Sequence, residues 1–431
     1  MGLFNDFTQI QNQRSYRGDW EALLKRGQDV FSSQGLPTRS NEDWKYTSTK
    51  ILKDETFASS LLATAPTTNL QVQISPLKTA AHFVFVNGHF MSNLSQTNPS
   101  VTIQTISQLA TSNETSLLTE IEQLKQTVSA TSDSLDALNE AYLGAGLALL
   151  VKAETKLDHP IRLTFYSDLF SGPALATHPK MLVKVGSRSS VQVIEEYVGQ
   201  EGARYFNNTQ ADVVVEDSAK LVHVRVQNDS LQAVNVGRTR FFLKSNSNLH
   251  VLAYSSGARL SRHNNDIHFI EPGASAKMDG LYLTAGAQHV DNHTFIDHKV
   301  GNCQSYQHYK GILVDQSRAV FNGRVLIRQD SQKAYSEQLN NNLLLSSQAE
   351  IDTKPQLEIF ADDVKATHGS TVGELNEEEV FYLLSRAIPR DQALAMLSLG
   401  FVQELVLKLE NPELETWLSS LLTEAWKRIR K

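Results

Sequence analysis

The sequence contains a single cysteine, Cys303, among its 431 residues. One thiol cannot form an intramolecular disulfide, and a closed site of four cysteines around a metal cannot form within one chain. Such sparing use of cysteine is typical of a reducing, cytoplasmic compartment, which is the localisation we expect. Residues 1–13 lack the basic and apolar segments of a secretory signal and are poor in arginine, so we expect neither a signal nor a transit peptide.

Long apolar runs and basic blocks are also missing. The most apolar stretch, Leu143–Val151, is far shorter than the ~20 residues that a membrane-spanning helix needs. Lys and Arg number 40 against 47 Asp and Glu, a formal net charge of −7, and the one basic run is the short tail Lys427–Lys431. We therefore expect neither a membrane nor a nucleic acid as a partner.

The motifs of the commonest enzyme classes do not occur. The sequence has no Walker A stretch, no G-x-S-x-G elbow, no H-E-x-x-H and no C-x-x-C. The stretch Gly144-Ala145-Gly146 lacks the third glycine of a dinucleotide-binding fingerprint. ATP binding through a P-loop, zinc protease chemistry and dithiol redox chemistry are thereby excluded.

Residues 145–370 carry short runs in which apolar and polar side chains alternate, as in Val222/Val224/Val226 and Leu281/Leu283. Period two is typical of half-buried strands. Small polar turns separate the runs, most of them about 28 residues apart or half of that, a spacing typical of repeat architectures. They lie at Gly186, Asp217, Ser245, Pro272, Asn302, Asp315 and Ser346. This favours a flattened parallel β-helix over the alternative, a β-sandwich, because hairpin dipeptides such as Asn-Gly are few.

The flanking regions have helical periodicity. Trp20, Leu23, Leu24 and Val30 recur at helical spacing near the N-terminus, and Pro389 and Asn411-Pro412 divide the C-terminal region into three helices. We predict a mainly β protein, with a parallel β-helix core at 145–370. An N-terminal helical and mixed region spans 1–144, and a C-terminal helical domain spans 371–431. We expect the C-terminal helices to cap the open end of the β-helix, because its last strands would otherwise expose their edges.

The densest cluster of possible ligands is HVDNHTFIDH, in which His289, Asp291 and His293 share one face of a strand. Two imidazoles and a carboxylate can bind a divalent metal. The alternative, which we favour, is a polar ladder or a set of hydrogen-bonded histidines. For Cys303, a small buried hydrophobe competes with a thiolate ligand or sulfur carrier.

Several arginines follow one another in the strand region, and a basic stripe is one interpretation of them. We predict instead that they lie on solvated strand faces. They are Arg238, Arg240, Arg259 and Arg262.

Four stretches together resemble the SufB/SufD family of iron–sulfur cluster assembly proteins, on its SufD side. They are the N-terminal EDWKYTS, VDNHTFIDHKVGNCQSYQHYKGIL, AVFNGRVLIRQDSQKAYSEQLNNNLLLSSQAEIDTKPQLEIFADDVKATHG and TVGELNEEEVFYLLSRAI. The resemblance covers most of the chain, and its long motifs occur in order. It implies a β-helix core with helical flanks, in agreement with the turn spacing.

The resemblance implies a scaffold subunit of the SUF system rather than an enzyme. Family members form a complex of SufB, SufD and two copies of the ATPase SufC, in which SufB and SufD pair through their β-helices. The C-terminal helical region docks SufC, and we expect its apolar side chains to take part. The residues concerned are Phe381, Leu394, Phe401 and Leu405. A homodimer in isolation is a further expectation.

The resemblance also implies a site. The histidine of the family's D-D-V-K-x-x-H-G motif, His368 here, is a candidate ligand of the nascent cluster at the SufB interface, with Asp362 and Asp363 in support and Cys303 as a weaker candidate. Where many relatives have a cysteine in this motif, this sequence has Ala366, which cannot ligate iron. We expect no stably bound cofactor in the isolated chain and a transient iron–sulfur cluster in the complex.

Two other functions stay open at this point. The chain is a pure interaction subunit without metal contact if His368 is a structural turn residue. A β-helix enzyme acting on polysaccharide is more distant, because it would need paired carboxylates or a basic residue in a groove and would usually be secreted.

Overall fold

The computed structural model describes residues 16–63, 74–112, 114–169 and 172–429. The N-terminal stretch 1–13, for which no signal was predicted, lies outside the described residues. The described helices are α1 (Asp19–Gln34), α2 (Lys50–Asp54), α3 (Ile106–Ser112), α4 (Ser116–Val128), α5 (Ser134–Ala141), α6 (Glu377–Ser385), α7 (Arg390–Leu407) and α8 (Pro412–Ile429), with 3₁₀ turns at Glu42–Trp44, Ser60–Leu62 and Ser92–Leu94. None of these helices is both long enough and apolar enough to cross a bilayer.

Most of the described strands belong to the middle of the chain. They are β1 (Phe57–Ser59), β2 (Ala81–Val86), β3 (His89–Phe90), β4 (Val101–Thr105), β5 (Ala145–Val151), β6 (Ile161–Ser167), β7 (Ala174–Thr177), β8 (Pro179–Val185), β9 (Ser190–Gly199), β10 (Tyr205–Val215), β11 (Lys220–Asp229), β12 (Val234–Leu243), β13 (Asn248–Gly257), β14 (Leu260–Phe269), β15 (Ser275–Thr284), β16 (His289–His298), β17 (Gln304–Leu313), β18 (Arg318–Ile327), β19 (Tyr335–Leu344), β20 (Glu350–Ile359) and β21 (Lys365–Gly373).

From β8 onward, successive strands alternate between two sheets. The first sheet runs in the order β20-β18-β16-β14-β12-β10-β8-β5-β4, and the second in the order β21-β19-β17-β15-β13-β11-β9-β6-β2-β3. From β8 onward the neighbours pair in parallel, with Val234 beside Leu260 and Arg318 beside Glu350, offsets of 26 and 32 residues. Each coil therefore contributes one strand to each sheet. The predicted flattened parallel β-helix is confirmed.

Several turns between strands place Asn or Asp in the left-handed region of backbone conformation. Asn246, Asn302 and Asp315 have φ values of 55°, 57° and 57°. Asn and Asp enter this region at lower cost than other side chains, because their short polar groups hydrogen-bond locally. The predicted turns at Asn302 and Asp315 are thereby confirmed.

The two sheets enclose an apolar core. Ladder register stacks inward-facing side chains from coil to coil, and one row is Val213, Phe241, Ile267, Ile296, Val325 and Leu357. All but the last of these are fully buried. Burial of a side chain of this size contributes about 1.5–3 kcal/mol, so the stacked rows account for much of the stability of the coils.

Helices cover the outer face of each sheet. Leu118 and Ile121 of α4 pack on Val214 and Phe242 of the first sheet, within one buried cluster. The second sheet is covered by α7 and α8, whose Leu405 and Trp417 belong to one cluster with Leu252 and Tyr254. The molecule therefore has a helical layer on each side of the β-helix.

The predicted helical cap over the open end of the β-helix is wrong. The C-terminal helices turn back along the outer face of the second sheet, because their apolar stripes match the apolar outer side chains of that sheet. No described helix covers the final coil, made of β20 and β21. Its two strands are the last in their sheets and contain no fully buried residue.

Candidate functional site at the open end of the β-helix

His368 lies on β21, the edge strand of the second sheet. It pairs in register with Gln338 of β19, which is fully buried in the interior and donates a hydrogen bond to Gln307 at 2.7 Å. Register partners in a parallel ladder point to the same face, so His368 also faces the interior of the coil. Its side chain is nevertheless exposed, because no strand follows β21. No group among the described residues is hydrogen-bonded to its imidazole.

The residues next to His368 make this open end of the β-helix partly polar. Ser370, two residues further along β21, lies 2.9 Å from Thr353 of β20 through their hydroxyl oxygens, which joins the two strands of the final coil. Ala366, two residues before His368, packs against the apolar interior. The open end therefore offers an imidazole and hydroxyl groups, while the position of the motif cysteine holds an alanine.

The acidic pair predicted to support His368 lies apart from it. Asp362 and Asp363 occupy the turn before β21, where the backbone N–H of Asp363 donates to the side-chain oxygen of Gln332 at 2.9 Å. Four residues, the last three of them in β21, separate Asp363 from His368, and five extended steps span about 16 Å. No three His, Cys, Asp or Glu side chains among the described residues are grouped as metal ligands. The structure thus does not bring these carboxylates to the imidazole.

Cys303 lies in the core rather than at the open end. It is fully buried, and its sulfur contacts the carbonyl oxygens of Gly301 at 3.5 Å and Glu271 at 3.7 Å. Burial raises the pKa of its thiol, which disfavours the thiolate that ligates metals. Its position matches that of a small buried hydrophobe.

In the HVDNHTFIDH cluster, the carboxylate of Asp291 is paired with an arginine. Asp291 lies 2.5 Å from a guanidinium nitrogen of Arg262 and 3.0 Å from Nε2 of His293, and Thr47 donates to it at 2.5 Å. Although burial alone would raise it, Arg262 and His293 hold the pKa of Asp291 well below its usual value. The structure therefore favours the hydrogen-bonded alternative over a metal site.

The N-terminal motif EDWKYTS is held against this cluster. The guanidinium of Arg262 lies 4.0 Å above the ring of Trp44 and donates to the backbone oxygen of Asp43 at 2.8 Å. Such cation–π contacts contribute about 0.5–2 kcal/mol. The motif thus fixes the N-terminal segment on the outer face of the first sheet, a role that its sequence did not indicate.

The C-terminal helices present a second exposed surface. Val380 is the one fully buried residue of α6, and Phe381 and Tyr382 are 71% and 56% exposed. Met396 of α7 is also exposed. The exposure of Tyr382 and Met396 was not predictable from the sequence, because periodicity shows an apolar stripe but not whether another part of the chain covers it.

The other predicted docking residues lie deeper. Leu394 and Phe401 are half-buried, and the ammonium of Lys310 lies 4.6 Å from the Phe401 ring centroid. Leu405 is fully buried between α7 and the second sheet. It therefore supports the helices rather than offering a contact surface.

Comparison with known proteins places this architecture in a family. Residues 169–401 match the family described as SUF system FeS cluster assembly, SufBD core domain, and residues 2–163 match the SufBD protein N-terminal region. Together the two matches cover most of the chain.

The chain belongs to the SufBD family.

Individual relatives agree with this assignment. An iron–sulfur cluster assembly SufBD family protein of Synechocystis is 31% identical over 392 residues, which cover 88% of this chain and 85% of the relative. The iron–sulfur cluster assembly protein SufD of Escherichia coli is 28% identical over 372 residues, or 86% of this chain and 85% of the relative. The chloroplastic protein ABCI7 of Arabidopsis thaliana is 30% identical over 276 residues, covering 62% and 58%. This SufBD chain is thus a component of iron–sulfur cluster assembly.

Proposed function

We propose that this chain is a non-catalytic scaffold subunit that pairs with SufB through the open end of its β-helix and docks the ATPase SufC through its C-terminal helices. The nascent iron–sulfur cluster is the cargo of the assembly and forms where the two β-helices meet. The observation that carries the proposal is the uncovered final coil, which holds His368 and has free strand edges.

Free edges support a pairing role on physical grounds. A strand at the edge of a sheet has unpaired N–H and C=O groups, which a strand of another chain can complete. Large apolar side chains lie exposed at this end of the molecule, namely Ile359, Phe360 and Val372. Burial of these side chains by a partner would add to the backbone pairing. A second copy of the chain can use the same edges when SufB is absent.

The chemistry of His368 suits a shared and transient site. Imidazole is a borderline ligand that joins thiolates on iron, as in Rieske centres. With Ala366 in place of a cysteine, and no group of three His, Cys, Asp or Glu side chains among the described residues, this chain supplies one ligand at its open end. The remaining ligands must then come from the partner. A single imidazole binds weakly, which suits a site that must release its cluster.

The exposed surface of α6 and α7 supports a docking role for the C-terminal helices. Only the three residues 374–376 separate β21, which carries His368, from α6, which carries Phe381 and Tyr382. Movement of a docked ATPase would therefore reach the final coil through a short linker.

A pure interaction subunit is the second candidate function. Ala366 and the distance of Asp362 and Asp363 from His368 favour it, because the chain then contributes no complete ligand set. In that case His368 would serve only the contact between the two chains.

Co-expression tests the proposal. The tagged chain is produced with SufB and SufC, captured, and analysed for subunit composition, iron and sulfide. We expect both partners in the captured complex and iron with sulfide only when SufB is present, while the chain alone is nearly colourless. Stoichiometric iron in the isolated chain, or capture of neither partner, would contradict the proposal.

A further inference from the structure

A basic cleft lies on the first sheet, away from the open-end site. Its volume is about 350 Å³, and it is bounded by the segment Arg39–Asp54 and by the beginnings of β14, β16 and β18. Four cationic side chains line the cleft, namely Arg39, Lys50, Arg259 and Arg318. Tyr46 and Leu260 provide apolar surface. The volume is within the range of small-molecule sites in proteins.

The cations of the cleft are only loosely paired with acids. Asp54 is the one carboxylate in the lining, and it pairs with Lys50 at an exposed position. Glu55 lies 3.5 Å from Arg259, whose side chain is largely exposed. Exposed pairs of this kind contribute about 0–1 kcal/mol, so an incoming anion competes with them at little cost.

The remaining two cations differ from each other. Arg318 is paired more firmly, with Asp352 at 2.5 Å. Among the described residues no carboxylate lies within ion-pair distance of Arg39. Arg39 thus has no acidic partner among the described residues. Lys50 and Arg259 have partners that an incoming anion can displace.

The wall that carries Tyr46 is fixed in place. Thr47 lies 2.9 Å from Nε2 of His289 and donates to Asp291, while Arg262 holds Trp44 and the backbone of Asp43. A preformed cleft loses less conformational entropy on binding than a mobile one.

The histidine in this cleft reports the local charge. Burial lowers the pKa of His289, and Arg318, Arg262 and Arg39 lower it further, against the opposite effect of Asp291. Three arginines thus act on this histidine in the same direction and are opposed by the carboxylate of Asp291.

We propose that this cleft binds a small organic phosphate, with its phosphate group beside Arg39 and Arg259 and its apolar part against Tyr46 and Leu260. Guanidinium groups match phosphate oxygens in bidentate geometry. A phosphate monoester carries about −1.5 to −2 charges at pH 7, which suits several cations better than a carboxylate does. The inference does not depend on the proposed function, since no residue in the lining of the cleft belongs to the final coil.

The test uses AMP and inorganic phosphate as probes, with binding to the full chain measured by titration calorimetry at low salt. We expect AMP to bind at least about tenfold more tightly than inorganic phosphate, because only AMP uses the apolar wall. The double variant Arg39→Gln/Arg259→Gln should weaken AMP binding by at least about tenfold. Arg188→Gln is the matched control, since Arg188 is also an exposed arginine paired with a glutamate, Glu154, and should change binding less than about twofold.

A second variant distinguishes a loss of binding from misfolding. Ser48 is an exposed residue of the lining whose oxygen accepts from the N–H of Lys50, and aspartate retains that acceptor. Ser48→Asp should abolish AMP binding by repulsion while the melting temperature is unchanged. The proposal is overturned if wild-type protein binds AMP no better than phosphate, if Ser48→Asp binds normally, or if Arg188→Gln weakens binding as much as the double variant.

Discussion

The covered coils and the final coil place the same residue type in opposite situations. His298 of β16 and His368 of β21 both face the interior of the β-helix. His298 is fully buried, lies 2.8 Å from the hydroxyl of Ser305, and stacks on Phe269 with ring centroids 4.6 Å apart. His368 has none of these contacts because no coil follows it. Of the two, His368 is therefore the one whose imidazole is accessible to a ligand or a partner.

The largest expected difference between the two regions is in packing energy. Ile296 of a covered coil and Leu357 of the final coil occupy the same inward row. Ile296→Ala should lower the free energy of unfolding by about 2–5 kcal/mol, since it leaves a cavity in a closed core. Leu357→Ala should cost less than half of that, because Leu357 is only half-buried. Urea unfolding measures both, and equal losses would show that the final coil is as well packed as the others.

The buried histidine should also make stability depend on pH. Burial lowers the pKa of His298 to about 4, against 6.5 for the free side chain, so the unfolded state binds more protons in between. Stability is then present above pH 6.5 and is lost as the pH falls towards 4, by about 2 kcal/mol at pH 5.

His298→Phe should reduce the loss of stability between pH 7 and pH 5 by about 2 kcal/mol, because phenylalanine keeps a ring but does not titrate. Urea unfolding at pH 7 and pH 5 compares the variant with wild type. Thr294→Val, a change of a non-titrating inner side chain on the same strand, serves as the control and should keep the wild-type slope. An unchanged slope in His298→Phe would mean that other groups cause the acid sensitivity.

Exposed apolar residues of the final coil should act in association rather than in stability. Phe360 is 65% exposed beside the last coil, and Phe360→Asp should weaken association with SufB by at least about tenfold. Its melting temperature should stay near that of wild type. Leu169→Asp is the matched control, because Leu169 is also exposed but lies beside an early coil. Equal loss in both variants would argue against the final coil as the pairing surface.

A smaller effect is expected on the C-terminal helices. Phe381→Ala removes an exposed ring from α6 and should weaken SufC binding by about fivefold, without loss of SufB. Leu405→Ala instead should destabilise the helical layer, because Leu405 is buried against the second sheet. Calorimetric titration with purified SufC separates the two outcomes. Wild-type affinity for SufC in Phe381→Ala would show that SufC docks on another surface.

The local pattern of apolar and polar residues in the sequence was sufficient to predict the β-helix. Alternation fixes which side chains face inward, and residues such as Asn302 and Asp315 mark turns by their tolerance of a left-handed backbone. Both signals depend on residues close in sequence. For the same reason the helix boundary predicted at Asn411-Pro412 was readable, since α8 begins at Pro412 and the Asn411 side chain accepts from the N–H of Leu414.

Long-range pairing could not be predicted. Arg238 and Arg240 were expected on solvated faces, yet both are buried beneath α5, where each pairs with Asp136, more than 100 residues away. The helical cap failed similarly, because an apolar stripe on a helix does not indicate which surface it covers. The motif identified His368, but its place at an uncovered edge was visible only in the fold.

The most direct test of the account is the iron and sulfide content of the complex with SufB and SufC when His368 is replaced. His368→Ala should leave subunit composition unchanged and lower iron and sulfide by at least about half, as expected for loss of a ligand supplied by this chain. Thr367→Ala, a change of the outward-facing neighbour on the same strand, should keep the wild-type content. Wild-type iron and sulfide in an intact His368→Ala complex would contradict the ligand role and leave the final coil as a contact surface alone.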